Sequence, residues 1–354
     1  MLENKDAAKV SFYSQLKEEV YTFIDKNSLI PQGNKLIYVK AISILLAWLA
    51  AYAGFIVAVS FSAYLIASLC LFTACFFMLA MQMGIMHDAS HKSFGNKKSV
   101  NGILSQCLAI AGASATLWYH KHVVSHHSNP NIPGSDPDIE SGGIFRFNST
   151  DDWKWYHRFQ HWYAVPAYSL LVLKWVWVDD VKELVHNRYK IRGKDRTKAW
   201  VEIVFSRVIH MAIYIILPLA VGLNPWLVLT FYLAHWMVLG AVLSLIFSLA
   251  HVNTVQDFPE SKDGFENDWA LLQLATTANF ATGNKFLTWF IGGLNYQVEH
   301  HLFPRISHQL YPQIRKIVRE YCSKHNVEYL EYSTFKEALF DHFDHLRILS
   351  ARPA

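Results

Sequence analysis

Eight of the eighteen histidines fall in three short runs whose spacing suits metal ligands. The first run is His87-Asp88-Ala89-Ser90-His91. The second is His120-Lys121-His122-Val123-Val124-Ser125-His126-His127, and the third is Gln297-Val298-Glu299-His300-His301. On a helix, residues four apart lie on one face, a turn apart. His87 and His91 therefore reach one ion together, as do His122 and His126, while His127 is turned toward a neighbouring ion. His300 and His301 are adjacent, with Gln297 one turn before. Imidazole suits iron, copper, zinc and nickel, and this many neutral donors can hold two ions. The remaining histidines carry weaker signals. His120 lies outside the spacing of its run. His157 and His161 are four apart and read as ordinary interfacial residues, with holding a substrate or supporting ligands as the alternative. His210 and His235 fall inside apolar segments and read as bonds between helices. His308, His325, His342 and His345 read as surface residues.

The segments that must position these runs are apolar. Charged residues make up 17% of the chain, against about 25% in a soluble domain, which points to lipid contact rather than an oversized core. A net charge of +4 is too small for a nucleic-acid binder. Cys70, Cys75, Cys107 and Cys322 form no CxxC pair, which excludes a disulfide framework or zinc ribbon. No Lys or Arg occurs from Ala41 to His91 or from Val208 to Ser261. A span needs about 20 apolar residues, so each stretch predicts a hairpin, with spans near 41–59, 63–85, 200–221 and 226–249. Glu202 and Arg207 are expected at the interface, and Asn224-Pro225 opens the last span as cap and first turn.

The connecting turns on one side are short and uncharged. The opposite flanks carry Lys5, Lys9, Lys35, Lys40, Lys92, Lys97 and Lys98, and the basic run from Arg188 to Lys198. The positive-inside rule then makes both termini and all three histidine runs cytoplasmic. The weaker apolar segments 99–117 and 162–178 read as helices lying at the interface, with full spans as the alternative. Residues 1–36 are polar and do not form a cleavable signal. Phe12, Leu16, Val20 and Phe23 recur at helical spacing, for a helix lying on the membrane or packed against the domain. Pro312 opens one C-terminal helix, and Thr334 with Glu337 caps another that reaches about Leu349. The expected organisation is all-α. A cytoplasmic arm (1–40) precedes a membrane domain (41–304) of four spans in two hairpins with a cytoplasmic helical cap that carries the di-metal site. Cytoplasmic helices follow (305–354).

The runs HDASH, HKHVVSHH and QVEHH resemble the histidine boxes of the membrane fatty acid desaturases. The stretch from Gly292 to Pro304 is similar to the third box of the front-end members, where Gln replaces the first histidine. The resemblance extends from about Lys40 to Leu349. It implies metal ligation by His87, His91, His122, His126, His127, His300 and His301. It also implies a further ligand beyond the last span, for which His251 is the candidate, and places Gln297 as a ligand or its immediate neighbour. O₂-dependent chemistry requires a redox-active metal, which favours two iron ions over zinc. The implied activity is insertion of a double bond into a fatty-acyl lipid or acyl-CoA at carbon 5 or 6, toward the carboxyl end from an existing double bond. Trp118, His161, Trp269, Gln273, Thr277 and Asn295 are candidates for contacting the chain. Many such enzymes carry a fused cytochrome b5 domain with a His-Pro-Gly-Gly motif. The motif is not in this sequence, so electrons are expected from a separate protein, a ferredoxin or free cytochrome b5, steered by the basic face. A di-iron lipid hydroxylase or ketolase shares the boxes, and its product would distinguish it. A metal transporter would instead distribute histidines along its spans.

Overall fold

The computed structural model describes residues 11–263, 265 and 268–353; Lys5 and Lys9 lie outside the described residues. Four helices are long and apolar enough to cross a membrane: Lys35–Ser60, Tyr64–Ser90, Gly193–Ala220 and Pro225–His251. They form the two expected hairpins. Asn224 caps the fourth helix through its side chain, which accepts from the Trp226 amide at 2.9 Å, and Pro225 fills its first turn. Each helix runs further than its apolar segment toward the histidine-bearing end, because backbone hydrogen bonding does not stop where lipid contact does. The second continues through a π-helical stretch, Gln82–Met86, to Ser90, and the fourth reaches His251.

The first two spans pack along each other, and the second also meets the fourth. Inward residues such as Ile44, Phe55, Met78 and Leu239 are buried, whereas Leu46, Leu65, Phe72, Phe205 and Trp226 are exposed. Large apolar side chains outside and a packed seam inside are what helices surrounded by lipid require. The protein is an integral membrane protein whose described residues are mostly helical, with only two two-residue strands.

Residues 99–117 do not form one straight interfacial helix. Lys98–Ala111 and Ala115–His126 meet at 108°. The break is Gly112, at φ +92°, where a Cβ would press on Val176 and His210. Glu202 braces the corner. It is buried in protein, accepting from the Ser114 hydroxyl at 2.7 Å and the Thr116 amide at 2.8 Å. A carboxylate there caps the start of the helix that carries the second histidine run. The 162–178 region is a chain of short helices, Gln160–Ser169, Leu171–Lys174 and Trp175–Asp179, packed against the fourth span.

The remaining helices cover the histidine-bearing ends. Phe12–Lys26 buries Leu16, Val20 and Ile24 against Ile314 and Val318 of Tyr311–Lys324, so the first of these segments packs on the protein. Phe335–Ile348 carries the expected Thr334–Glu337 capping box. It also corrects the surface assignment of two histidines. His342 and His345 are buried beneath this helix, bonded to the Val252 and Phe147 carbonyls at 2.6 and 2.7 Å. His308 is buried too, 2.6 Å from Asp88, whereas His325 is exposed. A histidine on an amphipathic helix reads as polar until the packing partner is known.

Candidate metal centre

The three runs arrive from different directions. His87 and His91 stand at the end of the second span. His122 and His126 lie on Tyr119–His126, which is wound as a π-helix, with the His127 amide bonded to the His122 carbonyl five residues back at 3.2 Å. Its wider turn lets residues four and five apart share a face, so His122, His126 and His127 all point inward. The third run, Gln297–Leu302, follows a tight turn at Gly292 and Gly293. Gly292, at φ +62°, lies against Gly84 and the Met83 carbonyl, a contact that leaves no room for a Cβ. That close approach fixes the third run against the π-helical stretch of the second span.

The ligand atoms gather in three groups, one of which, His122 with His126 and Asp138, overlaps the other two. His87, His91, His122 and His300 offer nitrogens within 4.8 Å of one another, and so do His126, His251 and His301. His127 sits between the groups, its ring centroid 4.6 Å from that of His91 and 4.3 Å from that of His301. His87 Nε2 and His122 Nε2 are 3.1 Å apart. Imidazole nitrogens about 2.1 Å from a shared ion stand roughly 3 Å from each other, so the spacing fits coordination.

Hydrogen bonds decide which nitrogen faces inward. His126 Nδ1 donates to Asp136 at 3.0 Å and His122 Nδ1 to Asp138 at 3.2 Å. His301 Nδ1 donates to Gln273 Oε1 at 2.8 Å, and His300 Nδ1 lies 3.1 Å from the Tyr311 hydroxyl. Acceptors on Nδ1 leave Nε2 as the free lone pair, the arrangement found around metal-bound histidine. The Nε2 atoms of His91, His126, His127, His300 and His301 are buried with no partner in the protein. Buried polar atoms are rarely left so, and their convergence fits a metal pair. Burial first, then the charge of neighbouring rings, holds His91, His127, His300 and His301 well below the usual imidazole range, so these rings are neutral donors. The Gln297 amide donates to His251 Nε2 at 2.9 Å and so orients that ring.

Charged and polar groups anchor the frame. Asp136, fully buried, also accepts from the Asn131 and Asp138 amides, both at 2.8 Å. Asn131 in turn donates to the His251 carbonyl at 2.8 Å, tying the loop after the second run to the fourth span. Glu299 accepts from Asn279 Nδ2 at 2.8 Å and the Tyr329 hydroxyl at 2.7 Å, and burial raises its carboxyl to about 7. Asn279 belongs to a two-residue strand paired in parallel with Glu331–Tyr332. Sequence reasoning missed Asp136, Asp138 and Tyr311. The acidic pair so soon after the second run was the available signal.

A narrow apolar cavity, no roomier than about one water, adjoins the centre, bounded by His87, Met86, Trp118, Trp175, Leu243 and Phe247 among others. Trp118 stacks on His122 at 4.6 Å. Of the residues expected to contact a chain, Trp118 lines this cavity. Gln273 instead supports His301, and Thr277 bonds the Gln273 carbonyl at 2.6 Å. Asn295 bonds Ala281 and Thr288, Trp269 packs on Tyr13, and His161 lies 3.1 Å from the Ser350 hydroxyl, so none of these three borders the cavity. His157 bonds the Gly143 carbonyl and closes a local turn.

Comparison with known proteins identifies the family. The profile of the family described as fatty acid desaturase matches residues 62–333. The chain is 30% identical to the sn-1 linoleoyl-lipid 6-desaturase of Arthrospira platensis over 97% of its own length and 94% of that protein's. It is 32% identical to an enzyme of the same description from a Synechocystis species, over 96% and 95% of the two chains. It is 33% identical to the acyl-lipid (8-3)-desaturase of Physcomitrium patens, covering 98% of this chain and 73% of that one.

Proposed function

The chain belongs to the fatty acid desaturase family and is a membrane oxidoreductase acting on fatty acyl chains; from that premise we propose a front-end acyl-lipid desaturase that works with two iron ions. His87, His91, His122 and His300 hold one ion, and His126, His251 and His301 the other, with His127 between them. Gln297 keeps His251 in place or joins the ligands. The convergence of unpartnered Nε2 atoms carries this reading. Iron supplies the redox chemistry with O₂ that removes hydrogen from unactivated methylenes, which zinc lacks.

The protein's own part is position. Asp136, Asp138 and Gln273 fix ring orientation before substrate arrives. The narrow apolar cavity beside His87 marks the path of the acyl chain, whose entry requires the lining side chains to part, and its apolar walls exclude bulk water from the reacting carbons. The headgroup stays at the histidine-bearing face, which the flanking Lys92, Lys97 and Lys98 support as the cytoplasmic one. The same charges suit an acidic electron donor, a ferredoxin or cytochrome b5. Insertion at carbon 5 or 6 draws support from the two relatives named as 6-desaturases of linoleoyl lipid.

The test is expression in a host without polyunsaturated lipids, feeding linoleate and locating new double bonds by mass spectrometry. One additional double bond at position 5 or 6, absent from a His126→Ala control that still inserts, is expected. A hydroxylated chain as the sole product overturns the proposal.

A further inference from the structure

The cavity beside the metal centre has a wall that apolar packing does not account for. Most of the lining is Met, Leu, Val and Ala. Two lining residues carry buried polar atoms without a hydrogen-bond partner: Gln82 through Oε1 and Trp118 through Nε1. Gln82 is 6% exposed. Its amide nitrogen is engaged, donating to the Cys107 carbonyl at 3.2 Å and lying 3.3 Å from the Met78 sulfur. The amide is thereby oriented, and the oxygen is the atom left over. A leucine here would cost no such unpaired acceptor.

Position matters as much as polarity. Gln82 opens the π-helical stretch Gln82–Met86, which ends directly before His87. His87 is five positions on, no more than about 7.5 Å along the helix axis, a handful of carbons on an extended acyl chain. Trp118 stacks on His122 on another side of the same cavity. A saturated chain offers neither atom a partner. A cis double bond offers both: its vinylic C–H groups are polarised toward an oxygen, and its π-electrons accept from an indole N–H. Such contacts are weak hydrogen bonds, made here among buried side chains.

On the premise that the cavity holds an acyl chain, as proposed for the activity, we infer that Gln82 and Trp118 recognise a double bond already present in that chain and so set which carbons stop beside His87. Gln82 is then a specificity-determining residue, because it reads the chain at a fixed distance from the reacting carbons.

The test compares a linoleoyl with a stearoyl lipid. Gln82→Met keeps the volume and removes the amide; Gln82→Leu serves if the first variant does not accumulate. The ratio of kcat/KM between the unsaturated and saturated lipid is expected to fall roughly two- to five-fold in the variant, with some product shifted in double-bond position. A second readout needs no metal. Competition for a fluorescent acyl lipid on the metal-free protein should show a wild-type preference for the linoleoyl chain that Gln82→Met loses. An unchanged ratio, or an equal loss for both lipids, overturns the inference, as does a metal-free wild type without preference. If the wild type desaturates neither lipid, the proposed activity fails, and the binding comparison still decides this point.

Discussion

His122 and His300 at the metal centre and His210 and His235 within the third and fourth spans are buried to the same degree, yet they are built differently. At the centre, each ring of the first pair has its Nδ1 occupied from another segment, by Asp138 or Tyr311. Nε2 is left to converge with others. In the spans, His210 Nε2 lies 2.9 Å from the Tyr232 hydroxyl, which also accepts from Trp177 at 2.8 Å. His235 packs between the rings of Tyr214 and Trp236, with centroids 5.3 and 5.0 Å away. No candidate ligand group among the described residues includes either of these two histidines. Burial and residue type do not make a ligand. An outward acceptor and an inward convergence do.

The comparison can be broken most directly at the rings themselves. His126→Ala should abolish desaturated product and lower bound metal while the protein still inserts; His235→Ala should keep its metal. Equal metal content in the two variants, measured by elemental analysis, would erase the distinction. Next in size is the outward acceptor. Asp136→Asn should weaken metal binding about 10- to 100-fold, read by titration with a chelator, and an unchanged affinity would assign Asp136 to folding alone.

Acidification sharpens the contrast further. His91, His127, His300 and His301 are held below the usual imidazole value in the folded protein but titrate near ~6.5 when unfolded. Below that pH the unfolded chain binds more protons, so the metal-free protein loses stability as pH falls, by up to about 1.4 kcal/mol per unit for each ring. Glu299 and Asp180, both raised to about 7 by burial, act in the opposite direction, gaining stability as pH drops below that value. Four rings outweigh two carboxyls. Melting temperatures with chelator should therefore fall from pH 7 to 5, and a rise would contradict the assignment of neutral rings. The smallest effect belongs to the membrane group. Tyr232→Phe removes the partner of His210 and should cost about 1 kcal/mol in denaturant titration, with metal content unaltered.

The spans and the three histidine runs were legible because both signals are local: apolar length in one case, four-residue spacing in the other. The supporting residues were not, because each acts across a long gap. Gln273 was expected to touch the acyl chain and instead holds His301, since nothing in its own segment reveals which ring it meets. Glu202 was expected at an interface because it is charged. Its burial in protein was not legible, because the corner at Gly112 presents donors that the sequence does not advertise. His308 was expected to be exposed for want of Asp88, 220 positions away.

The π-helical winding of Tyr119–His126 also bears on how this gene can change. Such a turn holds one more residue than an α-helix of equal length. Losing a single codon, for Val123 or Val124, would let the segment rewind at 3.6 residues per turn with His122 three positions before His126 and four before His127, a spacing that still shares one helix face. Exposed Val124 tolerates many replacements in kind, and the extra residue of the wide turn can be lost without scattering the three rings, so in this stretch the winding adapts to chain length while the histidines keep their face.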